Sequence, residues 1–163
     1  MSDFESRIEV QDGKVVLACV GAGRWGRNLV RVFDSLPEAQ LAAVCDANPD
    51  IRQTMSQQYP ETLVWSDYND LLKTDEIQAI VLAVPAVDHF ETARQALEAG
   101  KHVYVEKPIA LSYDHARQLT ELAESRGVVL MVGHLLEYHP ALRLLKQLVD
   151  AGELGDILYL YAE

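Results

Sequence analysis

Gly21, Gly23 and Gly26 stand in the pattern G-x-G-x-x-G, written out as Gly21-Ala22-Gly23-Arg24-Trp25-Gly26, and an acid, Asp46, follows about twenty residues after the last of them. The chemistry this spacing serves is capture of a diphosphate. Gly21 permits a tight turn, Gly23 lets the backbone approach the phosphates, and Gly26 lets the following helix pack close to a strand. The amino terminus of that helix then faces the negative charge. An acid at the end of the next strand accepts hydrogen bonds from both ribose hydroxyls of a dinucleotide and repels a 2′-phosphate. No arginine directly follows Asp46, and Arg52 lies a helical turn or more further on, so NAD is favoured over NADP. The plain alternative is a tight turn with a surface aspartate. Loop, strand context and acid agree against it.

These residues need a frame to hold them. Val15 to Val20 is a continuous apolar run ended by glycine, and Leu41 to Cys45 and Ala79 to Val84 repeat the pattern, as strands buried on both faces do. His102 to Val105 and Val128 to Val132 supply two more strands. Between them lie helical spacings: Trp25, Leu29, Val32, Phe33 and Leu36, closed by Pro37; Glu91 to Ala99, closed by Gly100; and a helix capped by Ser112 that reaches Arg126 and ends at Gly127. Pro140 to Ala151 is a further helix, with Leu142, Leu145 and Val149 on one stripe. This alternation predicts an α/β fold. Its form is a Rossmann-type doubly wound parallel sheet, a single domain, with ligands bound beyond the carboxyl ends of the strands.

Composition narrows the function. The 163 residues are 49% hydrophobic, enough for a sizeable core, and carry a formal charge of −11. That balance, without a basic stripe, argues against a nucleic-acid partner, and no helix-turn-helix is visible to support a DNA regulator. Residues 1–14 mix acids and bases without an apolar run, so they read as neither signal nor transit peptide, and no apolar stretch is long enough to span a membrane. Cys19 and Cys45 sit inside apolar runs and read as buried thiols, which favours the cytoplasm. The five histidines and two cysteines show no metal-ligand spacing, so no metal is expected.

Three further stretches resemble the Gfo/Idh/MocA family of oxidoreductases. Ala83-Val84-Pro85 followed by His89 resembles its fourth-strand loop. Ala99-Gly100-Lys101-His102-Val103-Tyr104-Val105-Glu106-Lys107-Pro108 resembles its most specific signature, a strand delivering Glu-Lys-Pro to the active-site rim. Val132-Gly133-His134, then His139-Pro140, a helix and Gly152-Glu153-Leu154-Gly155-Asp156-Ile157 resemble the passage into the family's second domain. The resemblance runs from Val15 to the end of the chain. Family members are about twice as long, with an open, mostly antiparallel second sheet. The expected organisation is thus an extension at 1–14, the dinucleotide-binding domain at 15–151, and at 152–163 the start of a second domain that is otherwise absent.

Lys107 is the expected catalytic residue. At the carboxyl end of a strand and fixed by Pro108, its ammonium can hold a substrate hydroxyl and stabilise the developing alkoxide as hydride leaves the adjacent carbon. A surface lysine neutralising Glu106 is the bland reading. The resemblance implies that Glu106 lies near the nicotinamide ribose, that Ala83 and Pro85 line the cofactor site, and that the Lys107-Pro108 peptide is cis. Arg24 and Trp25 are cofactor contacts by their place in the loop, Trp25 either covering the diphosphate or packing on its own helix. His89 reaches the cofactor or caps its helix, and its family position favours the first. His134 is a substrate contact or a hydrogen-bonded histidine of the crevice, and His139 is a weaker substrate candidate. His102 and His115 read as structural.

The expected function is NAD-dependent transfer of a hydride to or from a hydroxyl-bearing carbon of a sugar, nucleotide-linked sugar or polyol. The alternative is a non-catalytic NAD-binding module, a sensor or a subunit, because the resemblance implies that a second acid or base comes from the absent domain. Ile157 to Tyr161 is an apolar, β-prone run; without sheet neighbours it is expected either to mediate self-association or to be poorly ordered.

Overall fold

The computed structural model describes residues 8–161. Six parallel strands form one sheet in the order β3-β2-β1-β4-β5-β6. The strands are β1 (Val15–Val20), β2 (Ala39–Cys45), β3 (Leu63–Trp65), β4 (Ala79–Leu82), β5 (His102–Val105) and β6 (Leu130–Val132). The helices are α1 (Gly26–Ser35), α2 (Pro49–Gln58), α3 (Tyr68–Leu72), α4 (His89–Glu98), α5 (Tyr113–Arg126) and α6 (Pro140–Asp150). The chain divides into two compact units, one reaching to Gly133 and the other starting at His134. The sheet and α1 to α5 belong to the first. A 3-10 turn at Leu135–Tyr138 and α6 belong to the second.

The continuous apolar runs follow from burial on both faces. Along β1, Val16, Ala18 and Val20 join Ile80, Leu82, Val103 and Val105 in a cluster completed by Ala93 and Leu97 of α4 and Leu119 of α5. Leu17 and Cys19 point the other way, into a second cluster with Val44, Val81, Leu29 and Val30 of α1, and Met55 of α2. Local signals set the helix ends. The Ser112 hydroxyl accepts from the His115 amide at 3.2 Å to start α5, and Gly127 (φ 66°) ends it in the left-handed conformation.

Three elements of the first unit were not expected. Asn48 caps α2, its side chain accepting from the Asp50 amide, and Asp67 does the same for α3 at Asn69. The third is β3, a half-buried edge strand of three residues. The β-prone run from Ile157 to Tyr161 has no regular structure, and Leu158, Tyr159 and Leu160 are at least 82% exposed. A strand without a ladder partner leaves its backbone groups to water. Among the described residues no helix is long and apolar enough to cross a membrane.

The fold makes one crevice by topology. Following the chain, β1 leads outward to β2 and β3, while β4 leads to β5 and β6 on the opposite side. At the carboxyl ends of β1 and β4 the connections part, and ligands of such sheets bind there.

Candidate cofactor and active site

The glycine loop leaves β1 at this switch point. Gly21 has φ +82°, and a Cβ built on it would lie 2.8 Å from the carbonyl carbon and oxygen of Ala83, so both the turn and the neighbouring exit of β4 require glycine. A Cβ on Gly26 would run into the carbonyl oxygen of Gly21, which is the close approach of α1 to the strand. Gly23 is different. Among the described residues, no heavy atom other than its own and those of its two chain neighbours lies within 4 Å of where its Cβ would be. The outer face of the loop is therefore open, α1 carries no acidic side chain in its first turn, and Arg24 is exposed beside it. A diphosphate fits this cradle in shape and charge.

Asp46 closes the neighbouring side. Its Oδ2 accepts from the Ala22 amide at 2.7 Å and its Oδ1 from the Asn48 amide at 2.8 Å, and each oxygen keeps a lone pair for a ribose hydroxyl. Arg52 comes nearer than its sequence distance implies. Its Nη1 donates to the carbonyl oxygens of Asp46 (2.9 Å) and Ala47 (2.8 Å), because the first turn of α2 folds back over the exit of β2.

The β4 exit carries Ala83, whose amide donates to the Val20 carbonyl at 2.8 Å, and the exposed Pro85, whose carbonyl accepts from the Asp88 amide. His89 is the first residue of α4. It is 2% exposed, with Nδ1 2.6 Å from the Pro108 carbonyl oxygen and Nε2 2.9 Å from the Val84 carbonyl oxygen. A carbonyl can only accept, so the neutral ring serves one of these contacts and the imidazolium both. The ring is turned into the protein and fastens the β4 exit to the β5 exit.

At the β5 exit, Glu106 is 7% exposed and Lys107 is exposed. The Lys107-Pro108 peptide is cis. Glu106 is not neutralised by the Lys107 ammonium. Its Oε1 accepts from the Trp25 indole Nε1 at 2.7 Å and from the Tyr104 hydroxyl at 3.3 Å, and its Oε2 accepts from the Lys107 backbone amide at 3.2 Å. Lys107 is thus exposed on the rim, its ammonium without a salt-bridge partner among the described residues. Through this bond Trp25 bridges the glycine loop to the β5 exit.

The first unit therefore brings together Gly21, Gly23, Arg24, Trp25, Gly26, Asp46, Ala83, Pro85, His89, Glu106 and Lys107 along the carboxyl ends of β1, β2, β4 and β5. His134 and His139 belong to the second unit. Both are exposed, and His139 Nδ1 accepts from the Ala141 amide at 3.3 Å, capping α6. His102 and His115 have structural partners: the Val129 amide donates to His102 Nδ1 at 2.9 Å, and His115 stacks on Phe90 with ring centroids 3.8 Å apart. Two residues of the site were not foreseen, Tyr104 and Gly133. A Cβ on Gly133 would come 2.6 Å from the Tyr104 hydroxyl and 2.9 Å from Glu106 Oε1.

Comparison with known proteins agrees with this geometry. The family described as "Oxidoreductase family, NAD-binding Rossmann fold", Gfo/Idh/MocA, matches residues 15–134. The chain is 32% identical over 145 residues to 2,7-anhydro-N-acetylneuraminate hydratase of Mediterraneibacter gnavus, a match covering 89% of this chain and 38% of that one. It is 30% identical over 150 residues to the NAD-dependent scyllo-inositol 2-dehydrogenase of Bacillus subtilis, covering 90% and 43%. Among solved structures, scyllo-inositol dehydrogenase from Lactobacillus casei with NAD(H) and scyllo-inositol superimposes with a TM-score of 0.80 at 26% identity, covering 88% of this chain and 43% of that one. The chain thus spans about two fifths of the length of the proteins it matches.

Proposed function

Because the chain belongs to the Gfo/Idh/MocA oxidoreductase family, we propose that it is the cofactor-binding part of an enzyme that transfers a hydride between NAD and a hydroxyl-bearing carbon of a sugar, nucleotide-linked sugar or polyol. The observation that carries this reading is the joint at the switch point, where the Asp46 carboxylate is hydrogen-bonded to the glycine loop beside an unobstructed Gly23.

The roles of the residues follow from their positions. Gly21, Gly23 and Gly26 shape the loop so that its amides and the α1 amino terminus hold the diphosphate, with Arg24 adding charge. Asp46 accepts from the adenosine ribose hydroxyls and opposes a 2′-phosphate. Ala83 and Pro85 form the wall at β4. When bound, NAD supplies the carbon that accepts or returns the hydride. Lys107, with its ammonium on the rim, donates to the substrate hydroxyl and stabilises negative charge as it develops on that oxygen. His134 and His139 are candidate substrate contacts from the second unit. We take residues 152–163 as the start of the relatives' second domain, and we place the protein in the cytoplasm, in keeping with its two free, buried thiols.

The test compares NAD binding by calorimetry in the native chain and in Lys107→Ala, then the binding of scyllo-inositol and of a dTDP-linked sugar to each NAD-loaded form. NAD affinity should be unchanged by the substitution while binding of the polyol or sugar falls. A native chain that does not bind NAD would overturn the assignment. Unchanged binding in Lys107→Ala of a ligand taken up by the native form would remove Lys107 from the substrate site.

A further inference from the structure

Trp25 and Glu106 are 81 residues apart in the chain and 2.7 Å apart in space, indole N–H to carboxylate. Trp25 is the residue before α1, inside the glycine loop, and Glu106 is the first residue past β5. A buried carboxylate keeps its charge only where donors replace the lost water. For Glu106 these donors are Trp25, Tyr104 and the Lys107 amide. The same two elements meet a second time through the Tyr104 ring, which stands edge-on to Phe33 of α1 at 5.8 Å between centroids. Gly133 leaves the room this cluster occupies, since a Cβ there would enter contact range of both the Tyr104 hydroxyl and Glu106.

We propose that Trp25 is a positioning residue: its indole N–H fixes the Glu106 carboxylate, which in turn holds the backbone amide of Lys107. Trp25 thereby sets the distance between the loop that receives the diphosphate and the loop that carries the lysine. This rests on the reading of the glycine loop as the NAD site. A dinucleotide must reach from one loop to the other, so its nicotinamide half depends on that spacing. The adenosine diphosphate half sits on the first loop alone and does not. An indole that merely covered the diphosphate would affect both halves alike.

The experiment uses Trp25→Phe, which keeps an aromatic ring and removes the donor, with NAD and ADP as ligands measured by calorimetry. NAD affinity should fall about tenfold, the worth of one hydrogen bond to a charged group, while ADP affinity is unchanged. Glu106→Gln, which keeps the shape and removes the charge, should give the same split. In a Glu106→Ala background, Trp25→Phe should have no further effect, because the bond it removes is already gone. Thermal unfolding of each variant confirms that the chain under test is folded. Equal losses for NAD and ADP would assign Trp25 to the diphosphate and overturn the proposal. So would no loss for either, or an undiminished effect of Trp25→Phe in the Glu106→Ala background. A native chain that binds neither ligand would instead overturn the NAD site itself, and the proposal with it.

Discussion

The Asp46 carboxylate and the Ala22 amide are joined at 2.7 Å, so the acid at the end of β2 is built into the wall of the glycine loop rather than left on the surface. Asp46 then has two tasks, holding the loop and reading the ribose, and they separate by substitution. Asp46→Asn keeps an acceptor for Ala22 but loses the charge. NAD affinity should fall by about tenfold or less, the scale of one charged hydrogen bond. The preference for NAD over NADP should shrink further, because the repulsion of the 2′-phosphate goes and the Arg52 guanidinium remains bound to the carbonyls of Asp46 and Ala47. Calorimetry with both cofactors on native chain, Asp46→Asn, and Asp46→Asn with Arg52→Gln checks this. Tighter binding of NADP than NAD by the native chain would refute the role of Asp46.

The three glycines of the loop should respond in two distinct ways. Alanine at Gly21 meets the Ala83 carbonyl and an unfavourable φ, and alanine at Gly26 meets the Gly21 carbonyl, so both variants should unfold at lower temperature. Overpacking against backbone of this kind costs about 1–3 kcal/mol or more. Alanine at Gly23 meets nothing, and the native melting temperature should be kept. Its methyl group occupies the space proposed for the diphosphate, so NAD binding should be lost all the same. Melting curves with and without NAD distinguish the classes. A Gly23→Ala chain still stabilised by NAD would place the diphosphate elsewhere.

Most of the frame was legible because it is local. The bounds of β1, β5 and α5 follow from an apolar run ended by Gly21, from His102 to Val105, and from the Ser112 and Gly127 caps. β3 escaped because three half-buried edge residues make too short a pattern to separate from a loop. In the site, the glycine spacing and Asp46 carry their mechanism in the sequence. The Trp25 to Glu106 bond does not, since a side-chain hydrogen bond across 81 residues has no period. The carbonyl partners of His89 are hidden for the same reason: sequence position shows that it starts a helix, not which way the ring turns. The need for glycine at 133 likewise comes from Tyr104 and Glu106, neither of them its chain neighbour.

His89 ties the carbonyl oxygens of Val84 and Pro108 from a position that is 2% exposed. Removing the ring leaves a cavity and takes away a buried donor, at a cost of about 1–3 kcal/mol for the lost hydrogen-bond partner alone. His89→Ala should therefore melt lower, by about 2–4 °C for each kcal/mol in a chain of this size. His89→Asn retains a donor and should recover part of the loss. Thermal unfolding of the three chains gives the order native, asparagine, alanine. Equal melting of native and alanine forms would show that the clasp does not hold the two exits together.

The two thiols offer a prediction with a definite pH dependence. Burial pushes Cys45 up to about 11, with the negative charges of Asp46 and Asp67 adding to the rise and Arg52 opposing it. Burial alone pushes Cys19 up further still. Alkylating reagents attack the thiolate, of which the Cys45 shift leaves about a thousandth at pH 8. Iodoacetamide at that pH should leave both cysteines intact in the folded chain and modify both in urea, as read by mass spectrometry. As pH rises toward 11, Cys45 should react before Cys19. Arg52→Gln should delay it, and Asp46→Asn should advance it, since the two charges act on the thiol in opposite senses. Stability follows the same sign. Between the ordinary thiol value of 9.0 and about 11, the folded chain keeps a proton on Cys45 that the unfolded chain has released. The contribution of this thiol is thus fully present below 9.0 and declines as pH climbs through the window. Rapid modification of Cys45 in the folded chain at pH 8 would contradict the burial of this thiol at the end of β2.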